Sequence, residues 1–415
     1  NAAGIDVSSR KSTVAILRPF GEVVKLPFEV CHSAEDLSAL AQQLKSIEGE
    51  TRVVMEHTGR YYESIAKVLH EAGLYVSVVN PLLIKEYGAN SLRRVKTDKA
   101  DAMKIARYAL DNWADLRDYT PMDTIRYNLK TLNRQFQLAS KQRTASSNNL
   151  IALLEQSFPG IRKCFDSPVR SDGTQKWVDF AHAFWHVDCV RKQSLNAFSE
   201  RYRKWCKRHG YFFKQANAEE IYTLAKNAVV LVPKSDVTKV LIQEAANQLT
   251  SISRSVETYR TEMERLASML PEYPVVMQMY GVGKSFGPQL MAEIGDVRRF
   301  ERKQALVAFA GIDPMPNQSG EKNIRSNKSS KRGSPYLRKT LFNIMSIYLK
   351  CAPQEEPIFQ FLDRKRTEGK PYYVYMTAAG NKFLRRYYAQ VRDYLATLEN
   401  LPPVDMESTG LQHTT

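Results

Sequence analysis

At 415 residues the chain is long enough for two or three domains with cores of their own. Its 43% hydrophobic and 25% charged residues are those of a soluble globular protein, and no apolar run of about 18 residues offers a membrane-spanning helix. With 60 Lys and Arg against 44 Asp and Glu, the formal charge of +16 favours a polyanionic partner, since each neutralised phosphate releases counterions.

Residues 3–7, 13–17 and 23–28 are short β-like runs separated by turn residues (Ser8, Ser9, Arg10; then Pro19, Gly21). A helical stretch over 34–47, an apolar strand at 52–56, a helix over 61–72 and a strand at 75–79 follow. Three strands before the first helix, then alternation, predict an α/β domain over 1–115: a mixed sheet with helices on its faces. The region 116–272 is different in kind. Ile125, Leu129, Leu132, Phe136 and Ala139 recur at helical spacing. So do Ala245, Leu249, Ile252, Val256, Tyr259, Met263, Leu266 and Leu270. These seams either pair as an antiparallel coiled coil or form a dimer contact.

Between the seams, residues 160–235 interleave aromatic side chains (Trp177, Phe180, Phe184, Trp205 among them) with Arg191, Lys192, Arg201 and Arg203. Two readings stand: a stacking surface for nucleic acid, or an ordinary helical core with a solvated basic face. A third, helical and basic segment over 273–400 opens with Tyr280-Gly281-Val282-Gly283-Lys284. This is either a helix-hairpin-helix turn that approaches phosphate through backbone N–H groups or a plain interhelical turn. Residues 321–340 hold seven cations, Lys322, Arg325, Lys328, Lys331, Arg332, Arg338 and Lys339, against the single acid Glu321. With Arg93, Arg94 and Lys96 they are the candidate nucleic-acid contacts. Residues 401–415 read as a disordered tail. The five cysteines are scattered without a C-x-x-C pair, so neither a zinc site nor a disulfide framework is indicated and a reducing, cytoplasmic setting is expected.

Four carboxylates carry the chemistry. Asp6 closes the first strand, Glu56 closes the fourth, and Asp98 and Asp101 stand three apart at the start of a helix, on one face of it. Neighbouring strands with acids at matching ends would bring Asp6 and Glu56 together. Four converging carboxylates repel unless hard cations lie among them, and Mg²⁺ suits oxygen ligands of this kind. Taken singly, Asp98 reads equally as an N-cap, Asp6 as a turn residue and Glu56 as a solvated strand end. His57, beside Glu56, is either a proton carrier or a structural side chain.

The order Asp, Glu, Asp-x-x-Asp, with Lys96-Thr97 ahead of the last pair, resembles the DEDD transposases of bacterial insertion sequences. So do Phe309-Ala310-Gly311-Ile312-Asp313-Pro314, the following Gln318-Ser319-Gly320, the basic run and Leu337-Arg338. The matching segments cover roughly 3–112 and 275–395, and the middle is long for the family. The resemblance implies an N-terminal RuvC-like domain of RNase H fold with Asp6, Glu56, Asp98 and Asp101 as metal ligands. It implies a C-terminal transposase domain with Ser319 as nucleophile, and a DNA recombinase directed by a bridge RNA. It also implies double-stranded DNA as target and donor, a homodimer or homotetramer, and a bacterial, nucleoid-associated setting.

A serine hydroxyl needs activation. No histidine lies near Ser319 in sequence, so metal held by the four carboxylates is the simpler expectation. Two rival readings remain: a Holliday-junction-type metal endonuclease without a covalent intermediate, and a non-catalytic RNA- or DNA-binding protein.

Overall fold

The structure, a computed structural model, describes residues 1–57, 59–87, 97–314, 318–319, 322–323 and 329–400, with 318, 319, 322 and 323 described as backbone. It divides into two compact units, Asn1–Met122 and the remainder from Asp123.

The first unit holds β1 (Ala2–Val7), β2 (Lys11–Leu17), β3 (Val23–Cys31), α1 (Ala34–Lys45), β4 (Arg52–Glu56), α2 (Tyr61–Glu71), β5 (Tyr75–Val79), α3 (Pro81–Tyr87) and α4 (Asp98–Asp111). Its sheet runs β3-β2-β1-β4-β5. The first three strands pair antiparallel, whereas β4 pairs parallel with β1 and β5 parallel with β4. The expected mixed sheet is present. Alternation along each strand sends side chains to opposite faces. Ala3, Ile5, Val53 and Met55 are buried with Leu37, Leu44, Ile65 and Leu69 of α1 and α2. Ala2 and Val54 are buried on the other face with Ile105 and Ala109 of α4.

In the second unit α5 (Thr124–Ser157) is followed by four shorter helices, α6 (Lys176–Ala183), α7 (Asp188–Arg191), α8 (Leu195–Arg208) and α9 (Gln215–Asn227), and then by α10 (Asp236–Ser268). The two long helices pack on each other antiparallel within the chain. Leu129, early in α5, shares a core with Met263 and Leu266, late in α10. Leu150 and Leu154 share another with Ile242 and Leu249. Of the two expectations for the seams, the intrachain pair is what forms.

Trp177, Phe180, Phe184, Phe198, Tyr202 and Trp205 are all buried in that second core. Arg201 and Arg203 lie over the Phe184 and Phe213 rings at 4.9 Å. The stacking-surface reading of 160–235 is therefore overturned for these rings, because their faces meet one another and the cations rather than solvent.

The chain ends in α11 (Tyr273–Met277), α12 (Gly283–Ile294), α13 (Lys303–Ala310), a hairpin of β6 (Gln318–Ser319) and β7 (Lys322–Asn323), α14 (Pro335–Cys351), α15 (Pro357–Thr367) and α16 (Tyr372–Glu399). These helices surround the core begun by Leu129. The expected division at 272/273 has no counterpart at this scale, since α5 and α10 enter the same core as α12, α14 and α16. At Gly281, with φ +74°, a Cβ would lie 3.3–3.5 Å from the Tyr348 and Ile344 side chains, so this turn packs down on α14. It is an interhelical turn. Among the described residues no helix is long and apolar enough to cross a membrane.

Candidate functional site

Gly4 fixes the first candidate site, within the unit Asn1–Met122. A Cβ there would stand 2.3 Å from both the Ala102 carbonyl oxygen and the Ala106 nitrogen, so α4 rests directly on β1 where the strand has no side chain. Asp6, two residues on, points to the same face. In β4, Val54 pairs with Gly4, and Glu56 follows it by the same two-residue step. Both acids therefore stand on the α4 face at the carboxyl ends of adjacent parallel strands.

The amino end of α4 lies at that same end of the sheet. Lys11 begins β2 beside the end of β1, where Val7 pairs with Ser12. Its ammonium is held above its ordinary value by Glu29, 2.6 Å away, with a smaller contribution from the Asp98 charge. Thr97 is the N-cap of α4, its side chain accepting from the Ala100 N–H at 3.2 Å. Asp98 and Asp101 thus occupy the first turn, where the helix dipole favours negative charge, and Asp98 is not the cap.

Backbone geometry gathers the four sequence-predicted carboxylates at one end and one face. Among the described residues, no three His, Cys, Asp or Glu side chains stand close enough to hold an ion. Like charge is a sufficient reason for the four to remain apart. The all-oxygen donor set is of the kind Mg²⁺ takes. The His57 ring packs on Tyr62, centroids 5.0 Å apart, and the His57 backbone N–H donates to the Val79 carbonyl at 2.9 Å. Arg93, Arg94 and Lys96 lie outside the described residues.

A second candidate site, within the other unit, is an antiparallel arm between α13 and α14. The Ser334 N–H donates to the Phe309 carbonyl at 2.7 Å, Lys331 to Gly311 at 3.0 Å and Ser330 to Asp313 at 3.0 Å. Pro314 bridges Ser329, and further out Gln318 pairs with Asn323 and Ser319 with Lys322. At Gly333 a Cβ would meet the Phe309 carbonyl oxygen at 2.0 Å, so these rails close only around a glycine. Ser319 is the last residue of β6, opposite Lys322. Gly320, Arg325 and Lys328 lie outside the described residues.

Behind the arm runs a buried polar seam that the apolar periodicity concealed. Glu293 accepts from Asn133 Nδ2 at 2.7 Å, Arg134 Nη2 at 3.0 Å and Ser334 Oγ at 2.8 Å. Gln289 Oε1 accepts from Gln137 Nε2 at 2.8 Å and from Thr340 Oγ1 at 3.3 Å. Two of the predicted nucleic-acid cations also serve this seam. Arg338 donates to the Ala310 and Gly333 carbonyls, and Lys339 to Gln137 Oε1 at 2.8 Å. The signal that could have found the seam is polar residues at positions 126, 133 and 137, one helical stripe with Leu129.

Residues 3–159 match the sequence model of the IS110-type DEDD transposases, and residues 273–359 match that of the IS116/IS110/IS902 transposase family. The chain belongs to the IS110 family of transposases. As a transposase it acts on DNA. Among its relatives is a pilin gene-inverting protein of Moraxella bovis, 23% identical over 344 residues, which are 82% of this chain and 80% of that one. Another is a transposase for insertion sequence element IS1111A of Coxiella burnetii, 29% identical over 120 residues, 29% of this chain and 32% of that one. A solved Thermus thermophilus RuvC in complex with a Holliday junction aligns at 14% identity with a TM-score of 0.22, covering 28% of this chain and 94% of that one. Most of the helical insertion between α5 and α10 lies between the two matched segments.

Proposed function

We propose that this IS110-family transposase cuts and rejoins double-stranded DNA by transesterification through a phosphoserine at Ser319. The observation that carries the metal half of the reading is the placement of Asp6, Glu56, Asp98 and Asp101 at one end and face of the sheet, set by Gly4 and by the β1–β4 register. Those four carboxylates would hold a divalent cation, Mg²⁺ by donor chemistry, whose charge would offset the repulsion that keeps them apart without it. When bound, it would offset negative charge on the scissile phosphate.

The Ser319 Oγ attacks phosphorus. A new O–P bond forms as the serine hydroxyl gives up its proton, a P–O bond to the sugar breaks, and the departing sugar oxygen takes up a proton to become a hydroxyl, so protons balance. The diester energy is kept in the protein–DNA link, so a second strand's hydroxyl can reverse the step and rejoin. Lys331, at the foot of the arm, is exposed and would meet phosphate, and the backbone of Lys322 pairs with that of Ser319. Sequence choice comes from base pairing with a guide RNA, and the active assembly is a homodimer or homotetramer.

The test is denaturing electrophoresis after incubation with duplex DNA carrying the ends of the element and the RNA that copurifies with the chain. A covalent protein–DNA adduct is expected, lost in Ser319→Ala and strongly reduced in Asp98→Ala. Cutting by Ser319→Ala at the wild-type rate, with no adduct, would make the enzyme a metal-dependent endonuclease instead. Copurifying RNA of random sequence would remove the guide.

A further inference from the structure

A second feature of the C-terminal helices shares only Lys331 with that chemistry. Beside the foot of the arm, where Pro314 and Ser329 bridge, α14, α15 and α16 enclose an open groove of about 1410 Å³. Five cations line it, Lys331, Arg338, Lys339, Lys382 and Arg385, and no Asp or Glu is among its described lining residues. The recorded partners of three of them are neutral. Arg338 donates to carbonyls, Lys339 to a glutamine, and Lys382 to the Pro357 carbonyl at 2.9 Å. Their charge is therefore left to face a ligand.

Between the cations the wall is aromatic. Tyr373 is 72% exposed, an unusual state for so large an apolar surface, and its ring lies 6.2 Å from that of Phe342. Phe361 sits below Lys382, whose Nζ is 5.0 Å from the ring centroid. Asn343 and Asn381 add neutral polar groups to the lining.

We infer that this groove binds a single-stranded stretch of nucleic acid, its phosphates on Lys382 and Arg385 and an unpaired base on Tyr373. The charge excludes an acid-bearing wall's usual partners and selects a polyanion. The exposed ring then selects among polyanions, because a base face is free to stack only where the strand is unpaired. Duplex DNA would meet the cations but leave the aromatic wall unused. The inference stands on the groove alone and does not depend on the role of Ser319 or of a metal.

The experiment uses the full chain carrying Ser319→Ala, without divalent cation, so that no cleavage intervenes. Fluorescence polarisation with labelled 12-mers of one mixed sequence, as single-stranded RNA, single-stranded DNA and duplex DNA, gives the affinities. Adding Tyr373→Ala is expected to weaken single-strand binding about tenfold, within the roughly 1–3 kcal/mol that base–aromatic stacking contributes, and to change duplex binding less than about twofold. Lys382→Ala with Arg385→Ala should flatten the dependence of log K on log salt by about 1.4, the value for two single-strand phosphate contacts. All three side chains are exposed, so a folding defect is not expected, and circular dichroism checks it. Tighter binding of RNA than of DNA would name a guide as the ligand, and equal binding would name either unpaired strand. Single-strand affinity untouched by Tyr373→Ala, or single-strand and duplex affinities falling together, would overturn the inference.

Discussion

Glu293 is 2% exposed in a helix whose residues 287–294 are all buried, where an uncompensated charge would be untenable. Three donors hold it: Asn133 and Arg134 from α5, and Ser334 from the foot of the arm. Ser334 also caps α14, its Oγ accepting from the Leu337 N–H at 3.2 Å. One carboxylate thus joins the long helix to the rail of the arm that leads into α14. Glu293→Ala leaves the buried Asn133 and the half-buried Arg134 and Ser334 without this acceptor and should cost about 3 kcal/mol of stability, the low end for broken buried pairs. Glu293→Gln keeps one acceptor and should cost less, both read from urea midpoints. An equal cost for the two would mean that shape, and not the charge-assisted bonds, is what Glu293 supplies. The residue was readable in sequence only as an acid inside an apolar run. Its partners were not, because Asn133 occupies a place where periodicity looks for an apolar side chain.

At the scale of elements, the contact of α4 with β1 positions half of the proposed metal ligands. Gly4→Ala puts a methyl group 2.3 Å from backbone atoms of Ala102 and Ala106, and neither can turn aside as a side-chain tip would. The helix must lift. A loss of about 1–3 kcal/mol or more is expected, with faster amide exchange along α4 in hydrogen-exchange mass spectrometry. Asp98 and Asp101 would move away from Asp6 with it, so the DNA adduct should fall in the same variant even where the fold survives. Unchanged exchange in α4 would show that the strand yields instead.

The strands were legible because alternation is a local signal, and the start of α4 was placed at Asp98, although its cap is Thr97 and not Asp98. The stripe on α5 was not legible. Over its first half the buried residues are Arg126, Leu129, Asn133, Gln137 and Ala139, so Leu129 and Ala139 of the expected stripe are buried while Ile125, Leu132 and Phe136 are only partly covered. A stripe whose inner positions are polar but hydrogen-bonded shifts the apparent seam by one residue. The aromatic helices failed for a related reason. A ring covered by an Arg or Lys stem looks in sequence like a ring offered to nucleic acid, and only packing separates the two.

At the scale of the molecule, the two units have separate hydrophobic interiors. Asn1–Met122 holds the two cores on either face of its sheet, and the second unit holds two further cores strung along the α5–α10 pair. Cooperativity follows shared packing, so a chain built this way should not unfold in one step. Differential scanning calorimetry is expected to give a calorimetric enthalpy larger than the van't Hoff enthalpy, with at least two resolvable transitions. The two substitutions already argued identify them. Gly4→Ala should lower the midpoint of one transition and leave the others in place, whereas Glu293→Ala should do the reverse. A 1 kcal/mol loss moves the midpoint of a domain of about 100 residues by roughly 4–8 °C, enough to separate the assignments. If either variant displaced every transition equally, the units would be a single cooperative block, and strain at Gly4 would be felt directly at the arm that carries Ser319.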